Sequence, residues 1–390
     1  MSDETEIIKE QINIARKKSG IPDTPIKDLA FVLQTEIPQY IDKLNPKEFY
    51  QWFCPVWQAY EYMYESSSTS SDKYVVSESE WSILVGKIAS ALTERKDESI
   101  EFTHPSLRAM CMSFMMSSLT NHLEAQAYAL RMLLLFAIRS NLAKNSDFVH
   151  WLLQFMKRHI ENTITIKQNR ELFIDTCVDF FESVPVFDSL CVISILHFYR
   201  SPIFEKHLKK SNAKNEALSN VATKAFNVTL CDDSFFVFEV MRDTKLIYDY
   251  LNQQQKDLLQ IFVDGNLQQY DKFIEVNKDF ISKNNLDQSK LRTKIMVLTF
   301  VSIAEDKTEV GFKEIMDQLQ ISSLELKKLA IHINSTGVAS VKIDSASQKI
   351  LVEQSPSRLF GEKNWKEMSQ QISALIASLE KEANSIDKNE

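Results

Sequence analysis

Apolar side chains along this chain recur mostly at the three- and four-residue spacing of amphipathic helices, and short polar breaks divide them into a long series of segments. Between Phe31 and about Asn212 this pattern is continuous. Leu107 to Leu119 and Glu124 to Ile138 predict two antiparallel helices joined at Thr120-Asn121-His122, and Phe148 to Ile160 and Arg170 to Phe181 extend the series. No strict repeat period is found. The pattern therefore predicts an all-α helical-repeat solenoid of degenerate HEAT/TPR-like type, in which each hairpin buries its apolar face only by stacking on its neighbours.

The periodicity changes after Asp287. An apolar helix, Leu291 to Ala304, leads through Lys307-Thr308-Glu309 to a second helix with Phe312, Ile315, Met316 and Leu319 on one face. The third helix opens at Ser322 with Glu325 three residues on, a capping box. Leu326, Leu329, Ala330 and Ile333 repeat the stripe, and Gly337 supplies a left-handed stop. Val338 to Ile343 and Lys349 to Gln354 are β-rich runs separated by Ser345-Ala346-Ser347, which predicts a small β-hairpin. Three helices and a hairpin in this order make a winged-helix subdomain. A last helix, Lys363 to about Asn384, sets Trp365, Met368, Ile372, Leu375 and Leu379 at spacings of three, four, three and four, a heptad seam that needs a partner surface.

Charge narrows what a winged helix could do here. Between Asp287 and Pro356 nine Lys/Arg face nine Asp/Glu, and nine minus nine is zero. The third helix brings only Lys327, Lys328 and His332, whereas duplex affinity comes from clustered cations on phosphates. With a net charge of −8 over 390 residues, direct nucleic-acid binding is not expected, nor is attraction to an anionic membrane. Protein is the expected partner. The most apolar run, Met132 to Ile138, is too short to span a bilayer, and the acidic start Met1 to Glu6 is not a signal peptide, so neither a membrane segment nor secretion is expected. Ser66 to Ser71 reads as an exposed loop.

Candidate chemistry is sparse. Five widely spaced cysteines, Cys54, Cys111, Cys177, Cys191 and Cys231, fit buried reduced thiols. The seven histidines form no pair at metal-ligand spacing, and no CxxC, HxxEH or HxH element occurs. There is no GxSxG elbow, P-loop or GxGxxG, and six glycines leave little material for a phosphate cradle. No enzyme, metal or cofactor is expected.

Helical repeats followed by a neutral winged helix and a heptad tail resemble the PCI-domain family, the scaffold shared by the proteasome lid, the COP signalosome and translation initiation factor 3. The resemblance is carried by Asp257-Leu258-Leu259-Gln260-Ile261-Phe262-Val263, Leu267-Gln268-Gln269-Tyr270 and Asn277-Lys278-Asp279-Phe280-Ile281. Lys290-Leu291-Arg292, Leu298-Thr299-Phe300, Val341-Lys342-Ile343-Asp344 and Arg358-Leu359-Phe360-Gly361 with Trp365 continue it, and Pro105-Ser106-Leu107-Arg108 lies upstream. Within that family the chain is most similar to the M-subunit branch of eukaryotic translation initiation factor 3. The resemblance implies a non-catalytic scaffold subunit of that complex, supporting small-ribosomal-subunit binding and recruitment of mRNA and initiator tRNA. Its partners would be other PCI subunits, with the small ribosomal subunit touched indirectly, in the cytoplasm. The competing implication is the seventh subunit of the COP signalosome, which acts on cullins and has a nuclear fraction, or one chain shared between both complexes.

The domains implied are a flexible region over 1–30, helical repeats over 31–189, a PCI domain over 190–356 (helical part 190–286, winged helix 287–356) and a terminal helix over 363–386. In such complexes winged-helix sheets align edge to edge and terminal helices bundle. The expected contacts are an open sheet edge at Lys349, Ile350, Leu351, Val352 and Glu353, and the terminal-helix stripe.

Overall fold

A computed structural model describes residues 43–68, 78–93, 104–119, 122–165, 170–185, 188–210, 214–359 and 361–386, together with Glu10, 12–17, Ile37 and Tyr40. Most of the region 1–30 lies outside these residues. Of the Ser66–Ser71 segment, Ser66 to Ser68 end a helix and the remainder lies outside the described residues.

The chain divides into two compact units, Met1–Val221 and Ala222–Glu390. The first is built of helices: α1 (Pro46–Ser68), α2 (Glu78–Thr93), α3 (Pro105–Ser118), α4 (Leu123–Arg139), α5 (Ser146–Thr165), α6 (Arg170–Ser183), α7 (Ser189–Tyr199), α8 (Pro202–Leu208) and the start of α9 (Asn215–Cys231). The antiparallel pair expected around Thr120 to His122 is α3 and α4, and the next two expected helices are α5 and α6. Helix α4 packs against α2, α3 and α6, and it buries Ala125, Ala129, Leu130, Leu133, Leu134 and Ala137 at helical spacing. Gly86 makes one of these approaches possible, because a Cβ there would sit 3.2 Å from the Tyr128 ring. The core is aromatic-rich, with Phe53, Trp57, Phe180, Phe181, Phe198 and Tyr199 all buried.

The second unit continues with α10 (Glu239–Asp243), α11 (Lys245–Tyr248), α12 (Gln253–Asp264), α13 (Leu267–Val276), α14 (Phe280–Lys283) and α15 (Gln288–Ala304). Asn252 with Gln255, and Asn266 with Gln269, form reciprocal capping boxes that start α12 and α13. Helix α15 is apolar on nearly every face because it is the central element, in contact with α13 and with the winged-helix parts that follow.

Those parts are β1 (Glu309–Gly311), α16 (Phe312–Leu319), α17 (Ser323–Thr336), β2 (Ser340–Asp344) and β3 (Lys349–Gln354), with α18 (Glu362–Ile386) last. The capping box of Ser322 and Glu325 is formed, Leu326, Leu329, Ala330 and Ile333 are buried, and Gly337 adopts φ +69° as the stop. The sheet has three strands rather than the two of a hairpin, all antiparallel, in the order β1-β3-β2. Glu309, Val310 and Gly311, read from sequence as part of a connection, pair with Leu351, Ile350 and Lys349.

Candidate docking surface

The expected open edge at Lys349 to Glu353 is corrected by the sheet order. β3 is the central strand, with β1 on one side and β2 on the other. Val352 donates its N–H to the Thr308 carbonyl (2.8 Å) and Gln348 accepts from Phe312 N–H (2.9 Å), so even-numbered backbone groups of β3 face β1. The alternation of an antiparallel ladder then points Lys349 and Leu351 at β2, where their partners are Asp344 and Lys342. No row of open backbone groups is left on this strand. Its side chains differ: Ile350 is fully buried and Val352 half-buried, whereas Leu351 is 38 % exposed. Lys349 pairs with Glu309 at 2.6 Å, and Glu353 pairs with Lys342 and accepts from Ser340 Oγ at 3.0 Å.

The outer strands are β1 and β2, and part of the β2 edge is already occupied. Asn334 on α17 donates Nδ2 to the Val341 carbonyl and accepts the Val341 N–H on Oδ1, both at 2.9 Å. The side-chain amide thus does at Val341 what an added strand would do. By the same alternation the backbone of Ile343 points outward, beyond the reach of this plug.

The terminal helix presents the other predicted surface. Trp365 is 62 % exposed and Leu375 60 %; Met368, Ile372 and Leu379 are exposed as well, and Ile376 beside them widens the stripe. Six large apolar groups are thus exposed on one 25-residue helix. The helix leaves from a fixed point. Arg358 donates from Nη2 to the carbonyls of Ile261 (2.9 Å) and Phe262 (3.0 Å), and from Nη1 to those of Gly265 (2.5 Å) and to Ser302 Oγ (3.2 Å). It thereby caps the carbonyls at the end of α12, where Ile261 also accepts the Gly265 N–H (2.9 Å). Burial lowers its pKa to about 10, against the pull of Asp264, and it remains charged at neutral pH. Asn364 then bridges the turn, accepting from Gly361 N–H (2.9 Å) and donating to Ser357 Oγ (2.7 Å).

On α17 the solvent face carries Leu324 (65 % exposed) and Ile331 (66 % exposed) with Lys328 between them. An apolar stripe of this kind suits contact with protein better than with phosphate. Among the described residues one group could hold a metal ion: His150, Asp188 and Cys191. Sequence spacing hid it because His150 lies 41 residues before Cys191; the local signal is Asp188 and Cys191 at i and i+3.

No family model matches the chain. Among curated proteins it is 31% identical over 157 residues to eukaryotic translation initiation factor 3 subunit M of Homo sapiens, covering 40% of this chain and 42% of that one. It is 34% identical over 130 residues to the subunit M of Xenopus tropicalis (33% and 35%) and 27% identical over 153 residues to that of Drosophila willistoni (39% and 40%). The matches span less than half the length of these relatives. The likeness to subunit M expected from the sequence is therefore shown, over part of the chain.

Proposed function

We propose that this chain is a non-catalytic PCI-domain scaffold subunit of eukaryotic translation initiation factor 3, supporting small-ribosomal-subunit binding and recruitment of mRNA and initiator tRNA. The observation that carries the reading is the likeness to subunit M at 31–34% identity. The exposed heptad stripe of α18 agrees with it, since a scaffold acts through surfaces it offers to other subunits. Helical repeats over 31–189, a PCI domain over 190–356 and the terminal helix over 363–386 are the organisation that goes with this role, and the cytoplasm is its location. Two contacts follow. Trp365, Met368, Ile372, Leu375 and Leu379 enter a helical bundle with neighbouring subunits. Winged-helix contacts use the side chains of Lys349, Leu351 and Glu353 together with the backbone of β2 at Ile343, because β3 itself is fully paired.

The test is native affinity purification of an N-terminally tagged chain, with partners identified by mass spectrometry and size read on a gradient. Initiation-factor subunits migrating with small ribosomal subunits are expected. Signalosome subunits alone would move the assignment to cullin regulation, both sets together would make the chain a shared scaffold, and a lone monomer would overturn the scaffold role.

A further inference from the structure

We propose that His150, Asp188 and Cys191 form a binding site for a single zinc ion in the helical-repeat unit. Three chemically different donors, one imidazole nitrogen, one carboxylate oxygen and one sulfur, lie within 4.8 Å of one another. They come from two places in the fold: His150 from the first turns of α5, and Asp188 and Cys191 from the N-cap and third residue of α7, against which α5 packs.

Each donor is held by a contact that leaves its ligating atom aimed at the other two. His150 Nδ1 sits 2.8 Å from the Ser146 carbonyl, which can only accept, so Nδ1 carries the hydrogen and Nε2 is left to coordinate. A backbone carbonyl behind the distal nitrogen is the usual way a metal-binding histidine is oriented. Asp188 Oδ1 accepts the Cys191 N–H at 2.8 Å as the helix cap, which turns Oδ2 toward the ring. Oδ2 and Cys191 Sγ both face Nε2, at 2.6 Å and 3.6 Å. This is not a nucleophile triad, because carboxylate and thiol share one ring nitrogen instead of lying on opposite ones.

The two separations from Nε2 fit one tetrahedral ion with a small adjustment, and Oδ2 and Sγ lie within 4.8 Å of each other. A centre with Zn–S of about 2.3 Å and Zn–N of about 2.1 Å places sulfur and nitrogen about 3.6 Å apart, the separation found here. The nitrogen–oxygen separation in such a centre is about 3.3 Å, so Oδ2 must withdraw by about 0.7 Å from its hydrogen-bonded position. Asp188 can do so, since its side chain is 47 % exposed. That exposure also leaves a fourth position to water.

The donor set selects the metal. A nitrogen–sulfur–oxygen triad suits zinc and disfavours magnesium and calcium, which take oxygen alone. Burial and the neighbouring Asp188 push the Cys191 thiol up to about 12, so without a cation the thiol keeps its proton. A divalent ion reverses this, displacing the thiol proton to solvent as the Zn–S bond forms. Thiolate and carboxylate then cancel the two positive charges.

The full-length chain, purified without chelator, is equilibrated with zinc sulfate, dialysed and assayed by mass spectrometry of the metal, beside Cys191→Ser, His150→Gln and Asp188→Asn. Asparagine caps a helix as well as aspartate, so Asp188→Asn keeps the fold even if Cys191→Ser weakens it. About one zinc per wild-type chain is expected, with affinity at least ~10–100-fold weaker in Asp188→Asn. Cobalt substitution should give tetrahedral d–d bands and a thiolate charge-transfer band that vanishes in Cys191→Ser. Wild-type chain holding no more zinc than the variants, or cobalt with no thiolate band, would reduce the cluster to a hydrogen-bonded His150–Asp188 pair and overturn the site. Because neither readout involves subunit assembly, its failure leaves the scaffold reading untouched.

Discussion

Two cations, Lys294 buried and Arg358 half-buried, hold the second unit together by the same device, an amine or guanidinium spent on backbone carbonyls. Lys294, 4 % exposed on α15, donates Nζ to the carbonyls of Thr229 (2.7 Å), Leu230 (3.3 Å) and Asp232 (2.5 Å), closing the end of α9, and lies over the rings of Phe236 and Phe238. Burial lowers its pKa from 10.5 to about 8. The unfolded chain therefore binds more protons than the folded one between about pH 8 and pH 10.5, and in that window the contribution of this group to stability rises with pH. Below it, the full cost of burying the charge is present. Relative to Lys294→Met, in which every other titration is shared, the wild type is expected to gain up to about 3 kcal/mol across the window. Urea unfolding of both proteins at the two ends measures it, and a constant difference would show that Lys294 does not titrate there. Arg358→Leu leaves the carbonyls of Phe262 and Gly265 without this donor, strips Ile261 of the second of its two, and should cost about 2–4 kcal/mol, while Arg358→Lys, a single ammonium in place of a fork, should recover only part. Equal unfolding midpoints for wild type and Arg358→Leu would contradict this.

At the scale of elements, legibility followed locality. Helix α17 could be read almost whole, since its cap at Ser322, its stripe from Leu326 to Ile333 and its stop at Gly337 are all set by residues within one or two turns. Strand β1 could not. Three residues are too short for a period, and Glu309, Val310 and Gly311 become a strand only because β3, some 40 positions later, pairs with them. The open edge was misplaced for that reason, and the zinc ligands stayed hidden because α5 and α7 meet only in the fold. Asn334 belongs to the same class: a polar residue near a helix end looks like a cap, and the structure shows it turned onto β2. Its removal should loosen the winged helix and expose the sheet edge together. For Asn334→Ala we expect a loss of about 1–2 kcal/mol and concentration-dependent self-association by sedimentation velocity. A variant that is destabilised yet monomeric at every concentration would mean that the rest of β2 suffices to protect the edge.

For the whole molecule the question is whether the terminal helix serves its own chain or its neighbours, and its exposure decides what each alternative predicts. Leu375 and Leu379 are more than half exposed, as is Trp365, so truncating such groups removes little buried apolar area within the chain. The double variant Trp365→Ala, Leu375→Ala should therefore unfold within about 0.5 kcal/mol of the wild type in isolation, the range of ordinary surface changes. In an assembly the same two groups would be central to a bundle seam, where loss of two large apolar anchors commonly costs several kcal/mol, or more than about 100-fold in affinity. Two variants separate the causes of any defect: the double variant removes the stripe but keeps the helix, whereas Arg358→Leu releases the base of the helix but keeps the stripe. If the stripe is the contact, the double variant is lost from the large complex on a gradient even though its melting curve is unchanged. Co-sedimentation at wild-type levels would assign the stripe no role in assembly, and a large drop in the stability of the isolated chain would instead make α18 part of its own core.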